Sequence, residues 1–126
     1  MAKNMLVIDD EGLVTKSLGK LLTKEGYNAV IASGAAEAME KLKASNFDLI
    51  ISDIMMPQID GIEAIRKLRQ IQKDAGRQPI PEIIITGYAD QEKYKEALKL
   101  GVSDYIFKPF DTQQFLEAIK RKLNVT

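Results

Sequence analysis

Five short apolar runs, at residues 5–8, 29–32, 49–51, 83–85 and 105–107, constrain this chain most, because none of them alternates apolar with polar side chains. A strand with one wet face shows that alternation. Its absence marks strands buried on both faces, the signature of a parallel sheet covered by helices. Between the runs the apolar residues fall at helical spacing: Val14, Leu18, Leu21 and Leu22; Ala35, Ala38, Met39 and Leu42; Ile62, Ile65, Leu68 and Ile71; Tyr94, Ala97 and Leu98. A last set, Phe115, Ile119 and Leu123, follows the fifth run. Gly26 and Gly101 stand where helices end on glycine, and Asp111 with Gln114 three residues on resembles a capping box. The pattern predicts β-α repeated five times, hence an α/β fold in three layers with a five-stranded parallel sheet in the middle. Residues 73–82, with Gly76, Pro79 and Pro81, read as a solvated loop leading into the fourth strand. No linker, repeat or low-complexity tract interrupts the pattern, so residues 1–126 are expected to form one domain.

Composition narrows the chemistry. With 45% hydrophobic residues the chain can bury a core, yet no apolar stretch approaches the roughly 18 residues of a membrane span. The first five residues lack the apolar centre of a secretory signal, and the expectation is a soluble, cytoplasmic protein with no membrane insertion. Lys plus Arg and Asp plus Glu each number 18, so no net basic field draws the chain to nucleic acid. Cysteine is absent, which excludes disulfides and thiolate metal sites. Histidine is absent too, so any chemistry rests on carboxylates, lysine and hydroxyls, and the chain cannot itself supply a phosphohistidine.

In an open parallel sheet, functional groups collect outside the carboxyl ends of the strands. The first run leads into Asp9 and Asp10, the third into Asp53, the fourth into Thr86 and the fifth into Lys108. Each has an ordinary alternative. Asp10 would also cap the following helix, Asp53 would also serve a turn before Pro57, Thr86 would be a plain strand-end hydroxyl and Lys108 a solvated charge. Their joint placement at four strand ends favours a site. Clustered carboxylates repel, and a divalent cation resolves the repulsion; Mg2+ suits oxygen ligands and phosphate best.

Those residues carry a resemblance. Val7-Ile8-Asp9-Asp10-Glu11, Asp53-Ile54-Met55-Met56-Pro57 with Asp60-Gly61, Thr86-Gly87 and Lys108-Pro109-Phe110 resemble, over essentially the whole chain, the receiver domains of two-component response regulators, including the stand-alone chemotaxis and sporulation type. The resemblance implies a flavodoxin-like α/β/α sandwich with strand order 2-1-3-4-5. It also implies a phosphorylation-activated signalling switch within a phosphorelay. Asp53 is then the phosphoacceptor. Asp9, Asp10, Asp53 and the Met55 carbonyl hold Mg2+, Lys108 and Thr86 contact phosphoryl oxygens, and Thr86 with Tyr105 forms the switch pair. Tyr105 is expected to point outward before phosphorylation and inward after it. The implied partners are a histidine kinase or histidine phosphotransfer protein upstream and an output protein or domain downstream. The domain is no enzyme in the ordinary sense, since it catalyses only its own aspartyl phosphorylation and dephosphorylation.

Two other functions compete. A flavodoxin-like flavin or nucleotide binder shares the architecture, but the first βα loop, Asp9-Asp10-Glu11-Gly12, is acidic where anion cradles offer Gly, Ser and Thr. A receiver that acts only as an interaction module needs no acceptor residues, and here all of them are present.

Overall fold

The computed structural model describes residues 3–9, 12–53, 61–86, 91–107 and 111–124. Five strands, β1 Asn4–Ile8, β2 Asn28–Ala32, β3 Leu49–Asp53, β4 Glu82–Thr86 and β5 Asp104–Phe107, alternate with five helices, α1 Gly12–Lys24, α2 Ala35–Ala44, α3 Gly61–Asp74, α4 Gln91–Leu100 and α5 Thr112–Asn124. All strand pairs are parallel, in the order β2-β1-β3-β4-β5.

Side chains alternate across the pleat and give two cores. Leu6, Ile8, Ile50 and Ile84 pack on one face with Ala38 and Leu42 of α2, Ile62, Ile65 and Leu68 of α3, and Ala97 of α4. Met5, Val7, Leu49, Ile51, Ile83, Ile85 and Ile106 pack on the other with Leu18 and Leu22 of α1 and Phe115 and Ile119 of α5. Burial on both faces holds for the central strands but not for the edge strands, where Ala29, Val30 and Ile31 of β2 and Tyr105 and Phe107 of β5 are only half-buried. An edge strand has a neighbour on one side alone, and its two covering helices leave the outer margin wet. Leu98 also departs from the helical pattern expected of it: it is 49% exposed, while Ala97 one position earlier is wholly buried.

The helix ends follow the glycines. Gly26, Gly76 and Gly101 all take positive φ, at 87°, 68° and 76°. After α1, Gly26 N–H bonds Thr23 O and Tyr27 N–H bonds Leu22 O; after α3, Gly76 N–H bonds Lys73 O and Arg77 N–H bonds Gln72 O. Both are the paired closure that a left-handed residue allows. Lys73 and Asp74 therefore belong to α3, and Glu82 to β4 with 3% exposure. The solvated loop expected over 73–82 is shorter than the sequence suggested. At the start of α5, Asp111 Oδ1 accepts the Gln114 N–H at 2.6 Å, the cap the sequence predicted.

Candidate functional site

The strand register decides which chemical groups meet. Ile8 pairs with Ser52, so Asp9 and Asp53, each one residue further on, are neighbours across the β1–β3 pair. Adjacent strands lie about 4.8 Å apart. Asp53 pairs in turn with Ile85, which puts Thr86 one residue beyond it on β4, and Thr86 pairs with Phe107 of β5. Asp9, Asp53 and Thr86 thus share the carboxyl edge of the sheet. Asp10, Met55 and Lys108 lie outside the described residues, and among the described residues no trio of acidic side chains gathers at a cation-binding distance.

Both acids are buried, Asp9 with 2% exposure and Asp53 with 5%. The backbone holds them there. Asp9 N–H continues the ladder to Ala32 O at 3.1 Å, and the buried Ser52 hydroxyl donates to the Asp53 carbonyl at 3.0 Å. Ser52 was not singled out from the sequence. Its one signal is a hydroxyl between an apolar run and Asp53, where a buried polar group needs a partner. Two carboxylates side by side out of water repel each other, and hard oxygen donors are the ligands that Mg2+ takes. The donor set available from Asp9 and Asp53 fits such an ion.

Tyr105 lies on β5 opposite Ile84, on the face covered by α2, α3 and α4. The ring is half-buried, and its hydroxyl donates to the carbonyl of Ala97 in α4 at 3.1 Å. The aromatic is therefore bonded to the helix whose position a switch would change.

Comparison with known proteins agrees with this geometry. The family model for the response regulator receiver domain matches residues 5–120. The chemotaxis protein CheY of Treponema pallidum is 40% identical over 118 residues, covering 91% of this chain and 78% of that protein. The CheY of Bacillus subtilis is 34% identical over 125 residues, covering 98% of this chain and all of that one. Among solved structures, a CheY-like receiver domain from Methanospirillum hungatei superimposes with a TM-score of 0.87 at 32% identity, covering 98% of this chain and 95% of the other. With the family matched across nearly the whole sheet and its helices, the chain belongs to the response regulator receiver domains of two-component systems.

Proposed function

We propose that this domain is a phosphorylation-operated switch in which Asp53 accepts a phosphoryl group from a partner phosphohistidine. The observation that carries the reading is the register that sets the buried residues Asp9 and Asp53 on neighbouring strands at the carboxyl edge of the sheet. A carboxylate so placed is a nucleophile with no room for a second anion unless charge is neutralised. Asp9, Asp10, Asp53 and the Met55 carbonyl would hold Mg2+, which when bound supplies positive charge to the transferring phosphoryl oxygens.

The protein's own share is positioning. Asp53 Oδ attacks in line with the departing group, and the Ser52 hydroxyl on its carbonyl fixes the strand end from which it projects. Lys108 and Thr86 are assigned to the remaining phosphoryl oxygens as a charge and a hydrogen-bond donor. Dephosphorylation returns the carboxylate by attack of water at phosphorus. The readout is assigned to Thr86 and Tyr105. As Thr86 turns to the new oxygen, the Tyr105 ring exchanges its bond to Ala97 O for the space beside Thr86, biasing a pre-existing equilibrium of α4 and the output face. The partners are a histidine kinase or phosphotransfer protein and a downstream target, in the cytoplasm.

The test is incubation with a small phosphodonor and Mg2+, read by intact mass. One phosphoryl group is expected on the parent and none on Asp53→Asn. Equal labelling of the variant removes the assignment, and loss of labelling on removal of Mg2+ is the expected companion result.

A further inference from the structure

The end of the sheet remote from Asp9 and Asp53 holds a third buried acid with a different arrangement. Glu82, the first residue of β4, has a side chain only 4% exposed. Arg69 of α3 grips it from two nitrogens, Nε to Oε2 at 2.9 Å and Nη2 to Oε1 at 2.5 Å. The third nitrogen of the same guanidinium, Nη1, donates to the carbonyl of Leu100, the last residue of α4, at 2.8 Å. Glu82 also ties the α4–β5 connection through its backbone: its carbonyl accepts Ser103 N–H at 3.0 Å and its N–H donates to Ser103 Oγ at 3.2 Å. One planar cation therefore joins α3, β4 and α4.

We infer that Arg69, seated on Glu82, is the anchor about which α4 moves when the switch operates. The inference rests on the proposed switching and names a residue that governs its geometry. Among the described residues, two side chains outside α4 hold carbonyls of its last turn: Tyr105 holds Ala97 O, and Arg69 holds Leu100 O. The two differ in what they can release. The tyrosine holds Ala97 O by a neutral hydroxyl bond from a half-buried ring, which a rotation about its side chain breaks. The guanidinium is locked by a bidentate, charge-assisted pair to a buried carboxylate, and its fork geometry leaves one nitrogen aimed at the helix end. The Glu82 carboxylate bonded to it also holds the guanidinium pKa above its usual value, so the anchor stays charged. Release of Tyr105 accordingly removes one of these two holds on the last turn of α4 and leaves the other, at Leu100. The helix runs from Gln91 to Leu100, a lever of roughly 13 Å, with the fixed point at the end away from the acceptor edge. Leu98, the large hydrophobic side chain left exposed among the described residues, lies between the two held carbonyls and is re-presented by any tilt about that point.

The decisive variant is Arg69→Lys. It keeps a cation beside Glu82, but a single ammonium cannot grip the carboxylate and reach Leu100 O together. Amide hydrogen exchange of residues 97–103 and the NMR environment of Tyr105 would be followed with and without phosphodonor and Mg2+. At least a tenfold loss of protection at Leu100 and Gly101 is expected, with Asp53 labelling at the parent level and a weakened response of α4 to labelling. The double variant Arg69→Met with Glu82→Gln removes the link without leaving a buried charge unpaired and should behave alike. Unchanged protection and an unchanged α4 response in both variants overturn the anchor. A parent that takes no phosphoryl group overturns the proposed function instead, and the basal exchange of α4 still decides whether Arg69 holds Leu100.

Discussion

The two ends of the sheet treat buried acid in opposite ways. At the amino end, Glu82 is enclosed with a guanidinium that satisfies both its oxygens. Around it, Arg77 caps the carboxyl end of α2 by donating to Leu42 O, Ser45 O and Lys43 O. At the carboxyl end, two acids are set beside each other by the strand register. The first arrangement gathers cations to acid and carbonyl and holds helices in place. The second sets two buried acids on neighbouring strands, an arrangement that the proposed function assigns to receiving a cation and a phosphoryl group. One parallel sheet thus separates what holds the fold from what works, as open α/β sheets do.

The comparison breaks most directly at Arg69. Arg69→Met should lower stability by about 3 kcal/mol, because removing one partner leaves a carboxylate buried without its cation. Urea unfolding measures it, and a loss below about 0.5 kcal/mol would mean that the pair is as weak as an exposed one. Asp9→Asn at the other end should do the reverse. Without divalent cation it should raise stability by about 1 kcal/mol, by easing repulsion between neighbouring carboxylates. Melting curves with and without Mg2+ check both halves: the parent should gain from the ion by mass action, and the variant should gain much less. An Asp9→Asn protein that is less stable in both conditions would show that this end is built for the fold as well.

Tyr105 stands between the two ends. Tyr105→Phe removes one neutral hydrogen bond to Ala97 O and keeps the ring packing, so the expected cost is about 0.5 to 1 kcal/mol. Hydrogen exchange at Gly101, whose N–H bonds Ala97 O, would report it locally. A cost of several kcal/mol would mark the tyrosine as a structural post instead of a releasable contact.

Much of the carboxyl end was legible because strand ends are set by apolar runs, and the residue closing a run is fixed once the run is seen. Asp9, Asp53 and Thr86 followed from that alone. The strand order did not; it came through the family resemblance, since periodicity says nothing of which strand lies beside which. The amino end was almost silent. Arg69 and Glu82 are 13 positions apart, across a helix end and a loop, and each reads in the sequence as a common surface charge. Pro79 and Pro81 made the approach to Glu82 look solvated, although Ile80 and Pro81 are half-buried and Glu82 opens the strand. Leu98 fitted a weak helical pattern in which only packing could tell the buried neighbour from the exposed one. Ser52 needed the structure to show what its hydroxyl reaches.

The smallest expected effect also lies at the carboxyl end, on its outer margin just beyond β2. There Glu37 in the first turn of α2 accepts two hydrogen bonds from Ser33 at its Oε2, from the hydroxyl at 2.8 Å and from the backbone N–H at 3.2 Å. The Ser33 hydroxyl, then its N–H, and then Lys41 one turn on hold the Glu37 carboxyl below the usual value of 4.5. A carboxyl whose pKa is lower in the folded state adds stability that is fully present above 4.5 and fades as pH falls through the folded value. The Glu37→Gln variant should therefore be slightly less stable than the parent at pH 7, with the gap closing below 4.5 as the parent's carboxylate takes up its proton. Paired unfolding curves from pH 7 to pH 3 would measure the gap. This acid is partly exposed at the sheet's margin, whereas Asp9 and Asp53 are buried on the inner strands of the same end. If its variant shifted stability as much as Asp9→Asn, charge at this whole edge would matter through a shared field, and the contrast drawn between the two ends would have to be redrawn as one between edge and crevice.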